Sequence, residues 1–173
     1  MNHNGIETER RYLIRMPDTD WLETNASFTD IVQTYLKTGD GGSRSRLRAR
    51  SDKRGTVYIF TEKRRISDMS REERERELSR EEYLAMLPLA DQERRRIEKR
   101  RYVYPYEGQS FEIDVYPFWQ DRAIMELELE GEDAPVYLPP DIELVREVTG
   151  DRRYTNASLA KDIPFEPLES RNK

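Results

Sequence analysis

A period-two alternation of apolar and charged residues recurs along this chain and constrains its fold more than any other feature. Residues 123–130 read AIMELELE, and residues 110–116 read SFEIDVY. Successive side chains of a β-strand point to opposite faces, so each segment predicts a strand with one apolar and one charged face. A sheet of such strands must place its charged face either in solvent or around a polar interior.

Eight segments are predicted as strands on this basis: residues 6–14, 29–36, 44–50, 56–64, 71–78, 93–104, 110–116 and 123–130. Residues 71–78, REEREREL, also fit a charged helix, because Glu and Arg are good helix formers. Ser79 and Glu82 directly after them form a capping box that begins a new helix, so residues 71–78 are interpreted as a separate strand. Helices are predicted at 18–24, 79–87 and 156–161, a turn at 39–42 and a short extended piece at 147–149.

Composition excludes several kinds of chemistry. The 173 residues fit one domain spanning 1–173, with a core at about 6–160 and polar tails. There is no cysteine, which excludes disulfides, thiolate catalysis and cysteine-ligated zinc, and the single histidine, His3, lies in the N-terminal tail. A net charge of −5 argues against a duplex nucleic-acid partner. With no bilayer-spanning apolar run and no signal peptide, a cytoplasmic protein without a membrane partner is expected.

The charges segregate by strand, and this indicates a site. Strands 6–14, 71–78, 110–116 and 123–130 present mainly carboxylates, whereas 44–50, 56–64 and 93–104 present Arg and Lys. An open sheet with a solvated face would explain charged faces, but solvated surfaces usually intersperse the two signs. About eight strands closed into a barrel enclose room for one ligand. Arginines suit phosphate oxygens, and carboxylates such as Glu7 and Glu9 suit Mg²⁺ or Mn²⁺.

Short motifs then follow one another along the chain in a fixed order. The first is Glu7-Thr8-Glu9-Arg10-Arg11, which matches a Glu-x-Glu-x-Lys pattern except that Arg11 replaces the usual Lys. The later motifs are Arg46-Leu47-Arg48, Lys63, Ser70-Arg71-Glu72-Glu73-Arg74-Glu75, Lys99-Arg100-Arg101-Tyr102, Phe111-Glu112-Ile113-Asp114-Val115, Glu126-Leu127-Glu128 and Glu147-Val148-Thr149-Gly150-Asp151-Arg152-Arg153-Tyr154-Thr155-Asn156. In this order the motifs resemble those of the CYTH proteins, which are triphosphate tunnel metalloenzymes.

The resemblance implies an α+β fold: a closed eight-stranded antiparallel β-barrel, a tunnel open at both ends, with a charged interior and covering helices. It also implies roles for individual residues. The implied metal ligands for Mg²⁺ or Mn²⁺ are Glu7, Glu9, Glu126 and Glu128. The implied triphosphate-binding residues are Arg11, Arg46, Arg48, Arg50, Lys63, Lys99 and Arg101. The implied catalytic set comprises Glu7, Glu9 and Arg11 together with the tunnel carboxylates Glu73, Glu75 and Asp114.

The function implied by the resemblance is metal-dependent hydrolysis of a triphosphate, with inorganic tripolyphosphate as the first choice of substrate. Two enzymatic alternatives remain open: a class IV adenylate cyclase, and a thiamine or nucleoside triphosphatase. A non-catalytic polyphosphate-binding module is a third alternative, of a different class. Related proteins are commonly homodimers, so a homodimer is a further expectation.

Overall fold

The computed structural model describes residues 6–38 and 44–169, except for the side chains of Ile6, Glu7 and Arg71. Within these ranges the chain has an α+β architecture with one antiparallel sheet and a few short helices. The strands are β1 (Ile6–Arg15), β2 (Ser27–Tyr35), β3 (Arg44–Asp52), β4 (Gly55–Arg65), β5 (Ser70–Leu78), β6 (Ile97–Tyr106), β7 (Gln109–Val115), β8 (Arg122–Leu129) and β9 (Leu144–Glu147). The α-helices are α1 (Thr19–Asn25), α2 (Arg80–Met86) and α3 (Asn156–Leu159). None of these described helices has the length and apolar character needed to cross a membrane.

The strand order in the sheet is β5-β4-β3-β2-β6-β7-β8-β1-β9. Strand β1 also pairs with β5, through the residue pairs Ile6–Glu72, Glu7–Arg71 and Thr8–Ser70. On one side β1 pairs with β8 along most of its length, and on its other side it pairs with β5 near its start and with β9 near its end. The two strands at the ends of the eight-strand series, β5 and β1, therefore share hydrogen bonds rather than leaving both edges unpaired.

All eight predicted strands are present, with small shifts in their bounds. The segment at 71–78 is a strand, as the capping argument predicted, and lies within β5. The prediction for 93–104 was wrong at its start, because the Arg94 N–H donates to the Asp91 carbonyl in a turn and β6 begins only at Ile97. The extended piece predicted at 147–149 corresponds to the ninth strand, β9, which ends at Glu147. The turn predicted at 39–42 lies outside the described residues.

Helices α1 and α2 cover the apolar outer face of the sheet. Leu22 of α1 belongs to a buried cluster that includes Tyr12 of β1 and Met125 of β8. Tyr83 of α2 belongs to a second cluster, with Leu47 of β3. Burial of these apolar side chains is what holds two seven-residue helices in place, since helices this short are marginal on their own.

The charged face of the sheet becomes apolar toward one end of its strands. Leu13 and Ile124 lie two residues from Arg11 and Glu126, and therefore on the same face as these charged residues. At this end the C-terminal segment (residues 148–160) packs over the sheet. The buried cluster here contains Leu13, Tyr35, Ile97, Tyr116, Trp119, Ile124, Val148, Tyr154, Ala157, Leu159 and Ala160. This end is therefore covered, in contrast to the expectation of a passage open at both ends.

The capping box of α2 gives a first testable prediction. The Ser79 hydroxyl accepts from the Glu82 N–H at 3.0 Å, and the Glu82 carboxylate accepts from the Ser79 N–H at 2.8 Å. Replacing Ser79 with Ala is expected to lower the free energy of unfolding by about 1 kcal/mol, because it leaves one helical N–H without its partner. Urea unfolding of Ser79→Ala beside Ser79→Thr, which retains a hydroxyl, measures this. Equal stability of the two variants would contradict it.

Candidate active site

Most of the predicted site residues line one cavity of about 470 Å³ on the charged face of the sheet. The predicted residues that line it are Glu9, Arg11, Arg46, Arg48, Arg50, Lys63, Glu73, Glu75, Arg101, Glu126 and Glu128. Lys99 and Asp114 are not among the lining residues, because both side chains are fully buried. The side chain of Glu7 lies outside the described part of the chain, although its backbone belongs to β1.

An acidic surface runs across three neighbouring strands of the cavity. In the register of the sheet, Glu9 on β1 lies directly opposite Glu128 on β8, and Glu126 on β8 lies opposite Glu112 on β7. Side chains that are directly opposite on adjacent antiparallel strands have Cβ atoms about 5 Å apart. The register therefore brings these four carboxylates together as two pairs, two residues apart along β8; this group is called the acidic row.

Arg11, which stands where the family pattern usually has Lys, bridges two of these carboxylates. Its Nε donates to Glu126 Oε1 at 2.8 Å, and its Nη2 donates to Glu9 Oε1 at 2.7 Å. Burial opposes ionisation of Glu126, but Arg11 and Arg101 outweigh it and hold the pKa of that carboxyl well below its usual range. A lysine has a single ammonium group and could not span two carboxylates with a planar fork. The replacement therefore keeps the charge and contacts the two carboxylates through two separate nitrogen atoms.

The basic residues of β3 and β4 share one carboxylate from β5. Arg46 Nη2 lies 3.2 Å from Glu73 Oε1, and Lys63 Nζ lies 2.5 Å from Glu73 Oε2. The Nε atom of Arg46 is buried without a hydrogen-bond partner in the described structure. Arg48 is held less tightly, because its Nε donates to the Gln33 amide oxygen at 3.3 Å and its ion pair with Glu75, among the described side chains, spans 4.0 Å. The sheet register therefore gathers three cations around the same part of the cavity.

Burial and mutual repulsion act on the same basic residues. Burial lowers the pKa of Arg48 to about 9, and the neighbouring cations Arg46 and Arg101 contribute to this lowering. Burial also lowers the pKa of Lys63 to about 8, again with a contribution from Arg46. A bound polyanion would relieve both effects, since an opposite charge nearby favours the protonated form. The cavity therefore has the electrostatic character of a polyanion site.

Arg101 is the most extensively paired cation of the cavity. Its Nε and Nη2 donate to Asp114 at 2.7 and 2.8 Å, its Nη2 also lies 3.2 Å from Glu126 Oε2, and its Nη1 donates to Glu112. Asp114 also accepts from Lys99 Nζ at 2.6 Å. Burial opposes ionisation of Asp114, yet Arg101 and Lys99 lower the pKa of this carboxyl. Burial, together with the nearby Arg101, lowers the pKa of Lys99 to about 7.

The cavity also has lining residues that the motifs did not identify as site residues. Arg44, Arg65 and Glu112 continue the alternating faces of β3, β4 and β7, so their spacing carried a usable signal. Arg152 and residues 155–158 line the cavity from the C-terminal segment. They lie in a 3₁₀ turn and in α3, where no period-two pattern could have indicated their position.

The acidic row offers the ligands that a hard divalent cation prefers. Carboxylate oxygens suit Mg²⁺ and Mn²⁺, and Glu9, Glu126 and Glu128 line one cavity on adjacent strands. Within the described residues, no three Asp, Glu, His or Cys side chains are already grouped closely enough to hold an ion. Arg11 and Arg101 occupy oxygens of Glu9 and Glu126 in this arrangement. The donor set fits such an ion by its chemistry, provided that these arginines yield some of their contacts.

Comparison with known proteins identifies the family. A sequence profile of the CYTH domain matches residues 5–150. This chain belongs to the CYTH domain family. The CYTH chain is 34 % identical to an inorganic triphosphatase of Nitrosomonas europaea over 161 residues, which cover 91 % of this chain and 99 % of that protein. It is 39 % identical to an inorganic triphosphatase of Acetivibrio thermocellus over 82 residues, or 47 % of each chain. A crystal structure of an inorganic triphosphatase, 31 % identical, covers 91 % of the CYTH chain and 96 % of its own, with a TM-score of 0.58.

Proposed function

We propose that this CYTH protein hydrolyses inorganic tripolyphosphate to pyrophosphate and phosphate, with Mg²⁺ or Mn²⁺ as cofactor. The observation that carries the proposal is the crowding of Arg46, Arg48 and Lys63 in the same cavity as the acidic row. Arg48 and Lys63, whose pKa values are lowered by burial and by neighbouring arginines, gain most from a ligand with several negative charges. Similarity to inorganic triphosphatases over nearly the whole chain supports the same substrate class.

We further propose that strands β1 to β8 close into a tunnel around this cavity. The pairing of β1 with β5 supports closure, since it joins the two ends of the eight-strand series. The influence of Glu9 of β1 on the pKa of Lys63 of β4 supports it as well, since β5 separates these two strands around the proposed ring. In this arrangement the C-terminal segment covers one end, and the substrate enters from the other.

In the proposed mechanism, the basic residues bind the phosphate oxygens and stabilise the charge that develops on the leaving pyrophosphate. The residues proposed for this role are Arg11, Arg46, Arg48, Arg50, Lys63 and Arg101. The acidic residues proposed to hold the metal are Glu7, Glu9, Glu126 and Glu128. When bound there, the metal would supply Lewis-acid polarisation of the phosphoryl group.

Of the two β5 carboxylates that line the cavity, Glu75 is better placed than Glu73 to orient the attacking water. Both oxygens of Glu73 contact cations, Arg46 and Lys63. Glu75 lines the cavity, is more exposed, and accepts a 3.2 Å hydrogen bond from the Thr61 hydroxyl, which orients the carboxylate. We therefore assign Glu73 to holding the basic residues and Glu75 to holding water in line with the terminal phosphorus.

Product analysis tests the proposed function directly. Purified protein is incubated with tripolyphosphate, ATP or thiamine triphosphate, each with Mg²⁺ or Mn²⁺, and phosphate and cyclic AMP are measured. Fastest phosphate release from tripolyphosphate, abolished by a chelator, is the expected result. Cyclic AMP as the main product from ATP would replace the proposal with a cyclase. Tight tripolyphosphate binding without any product would leave only a binding module.

The lowered pKa of Lys63 predicts how tripolyphosphate binding depends on pH. The free protein loses the Lys63 proton near pH 8, whereas a bound polyanion raises that pKa, so binding above pH 8 must be accompanied by proton uptake. Affinity measured by calorimetry without metal is therefore expected to fall as pH rises from 7 to 9.5, at a limiting slope of about tenfold per pH unit for one proton.

The matched variant for this prediction is Lys63→Met. Protonation of tripolyphosphate affects binding to the wild type and to Lys63→Met equally. The difference between their affinity–pH profiles is therefore due to Lys63. The variant is expected to bind more weakly at pH 7 and to show a shallower decline at alkaline pH. Parallel profiles for the two proteins would contradict the assignment.

A further inference from the structure

Gln33 is a buried amide on the cavity face of β2. Side chains two residues apart on a strand share a face, so Gln33 stands between Ile31 and Tyr35, which both line the cavity. Gln33 itself is 0 % exposed and does not belong to the described lining residues. The amide therefore lies behind the wall of the cavity, where it contacts the side chains that form this wall.

The Gln33 amide makes two hydrogen bonds to lining side chains. In the register of the sheet Gln33 is directly opposite Arg48, and its Oε1 accepts from Arg48 Nε at 3.3 Å. Its Nε2 donates to the Tyr35 hydroxyl at 3.2 Å. Because arginine can only donate, the amide oxygen must face Arg48, and the amide nitrogen then faces Tyr35. The two bonds together fix the amide, and the amide in turn fixes the direction of the guanidinium.

The acceptor that Arg48 uses is neutral, unlike the acceptors of its neighbours. Four other lining cations each have a carboxylate oxygen within 3.2 Å: Arg11, Arg46, Lys63 and Arg101. Arg48 instead donates to an amide, and its ion pair with Glu75, within the described part of the chain, spans 4.0 Å. A carboxylate bonded to Arg48 would offset its charge, whereas an amide orients the guanidinium and leaves the charge in place.

On charge alone, a carboxylate at position 33 would suit the free protein better than an amide. Burial and the neighbouring Arg46 and Arg101 lower the pKa of Arg48 to about 9, and the more weakly acting Glu75 and Glu73 do not compensate. A negative charge opposite Arg48 would favour its protonated form. A neutral residue at this position is therefore better explained by the binding of an anion than by the stability of the free protein.

We propose that Gln33 is a positioning residue for triphosphate binding: it orients Arg48 through a neutral hydrogen bond and leaves the charge of Arg48 available to the triphosphate. This inference rests on the proposed function. It adds to the site a residue of β2, a strand whose cavity-lining residues, Ile31 and Tyr35, carry no charge. Arg48 contacts the phosphate oxygens, and Gln33 acts only through Arg48.

The experiment compares two replacements of Gln33 that have a similar size. Gln33→Glu keeps an oxygen acceptor for Arg48 and adds a negative charge. Its melting temperature is expected to rise or stay unchanged, while its affinity for tripolyphosphate, measured by calorimetry without metal, falls about 10-fold or more. Gln33→Leu removes the acceptor without adding charge, and its affinity is expected to fall about 10- to 100-fold, the range for losing a hydrogen bond to a charged group. Unchanged affinity in either variant would overturn the proposal.

A double-mutant cycle with Arg48→Met provides a readout that a purely structural role would not change. If Gln33 acts through Arg48, Gln33→Leu should weaken tripolyphosphate binding far less in the Arg48→Met background than in the wild type. Equal losses in the two backgrounds would overturn the proposal. If Gln33→Leu does not fold, Gln33→Glu still decides the question, because it retains a hydrogen-bond acceptor for Arg48 and for the Tyr35 hydroxyl.

Metal-free calorimetry also separates this inference from the proposed function. Binding needs no turnover, so wild-type protein that binds tripolyphosphate but releases no phosphate would contradict the proposed hydrolysis and would still test Gln33. No binding by the wild type would overturn both. The melting temperature of Gln33→Glu requires no ligand at all. A clear fall in this temperature would show that the amide is needed for packing rather than for its neutrality, which would overturn the positioning role.

Discussion

Replacement of Arg48 by Met is expected to abolish most tripolyphosphatase activity while leaving the protein at least as stable as the wild type. Arg48 is buried and repelled by Arg46 and Arg101, and its ion pair with Glu75 in the described part of the chain spans 4.0 Å. Its charge is therefore a cost to the folded state without ligand, and a methionine of similar length can fill the same space. Losing one preorganised donor to a phosphate should reduce kcat by about 10²–10³-fold.

Arg101→Met is the matched comparison, because it removes a second guanidinium from the same cavity. Arg101 compensates Asp114, Glu112 and Glu126, so its loss leaves the buried Asp114 and Glu126 with one fewer cation each. The expected stability cost is about 3–5 kcal/mol. The melting temperature of Arg101→Met should therefore fall, whereas that of Arg48→Met should rise or stay unchanged. Both variants should lose activity. A large drop in the melting temperature of Arg48→Met would show that its charge is compensated by its surroundings.

The contrast between these arginines explains what the sequence could and could not predict. Alternation along β3 and β6 placed Arg48 and Arg101 correctly on the charged face, because the period of a strand determines the face of every residue. The same rule put Lys99 on that face too, and it could not indicate that the Lys99 side chain is fully buried. The burial of a side chain depends on its neighbours on adjacent strands, as Ile31 is the neighbour of Lys99. These neighbours are known only once the strand register is known.

The elements without strand periodicity were the least predictable. Strand β5 was predicted correctly only because the capping box at Ser79 required a break before α2. The extended piece predicted at 147–149 lies earlier in the chain, as β9 at Leu144–Glu147. Its four residues are too few to show an alternation of their own. Arg152, Thr155 and Asn156 were recognised as part of a motif but not as part of the site, and Ala157 and Ser158 of α3 were not recognised at all. Their place follows from Tyr154 and Leu159, which pack the C-terminal segment over one end of the sheet.

Replacement of Glu128 by Gln is expected to produce the second large effect, a loss of metal-dependent turnover without a loss of fold. Glu128 is exposed, lines the cavity, and lies directly opposite Glu9, so the pair can be tested one carboxylate at a time. The variants Glu128→Gln and Glu9→Gln should each lower kcat by about 100-fold or more, because metal coordination contributes several kcal/mol to stabilising the transition state. Glu126 is less suitable for this test, since its carboxylate also compensates the buried Arg11 and Arg101.

The decisive readout is a pair of measurements that should change in opposite directions. Each glutamine variant removes one negative charge from the cavity, so metal-free affinity for tripolyphosphate should stay the same or increase, while the Mg²⁺ or Mn²⁺ concentration needed for half-maximal activity should rise. Glu98→Gln is the control, because Glu98 is an exposed strand glutamate outside the cavity, paired with Arg96 at 2.6 Å. A general effect of losing a strand carboxylate would appear in all three variants. Unchanged activity in both Glu9→Gln and Glu128→Gln would remove the acidic row from the proposed metal site and leave the basic residues as a polyanion site alone.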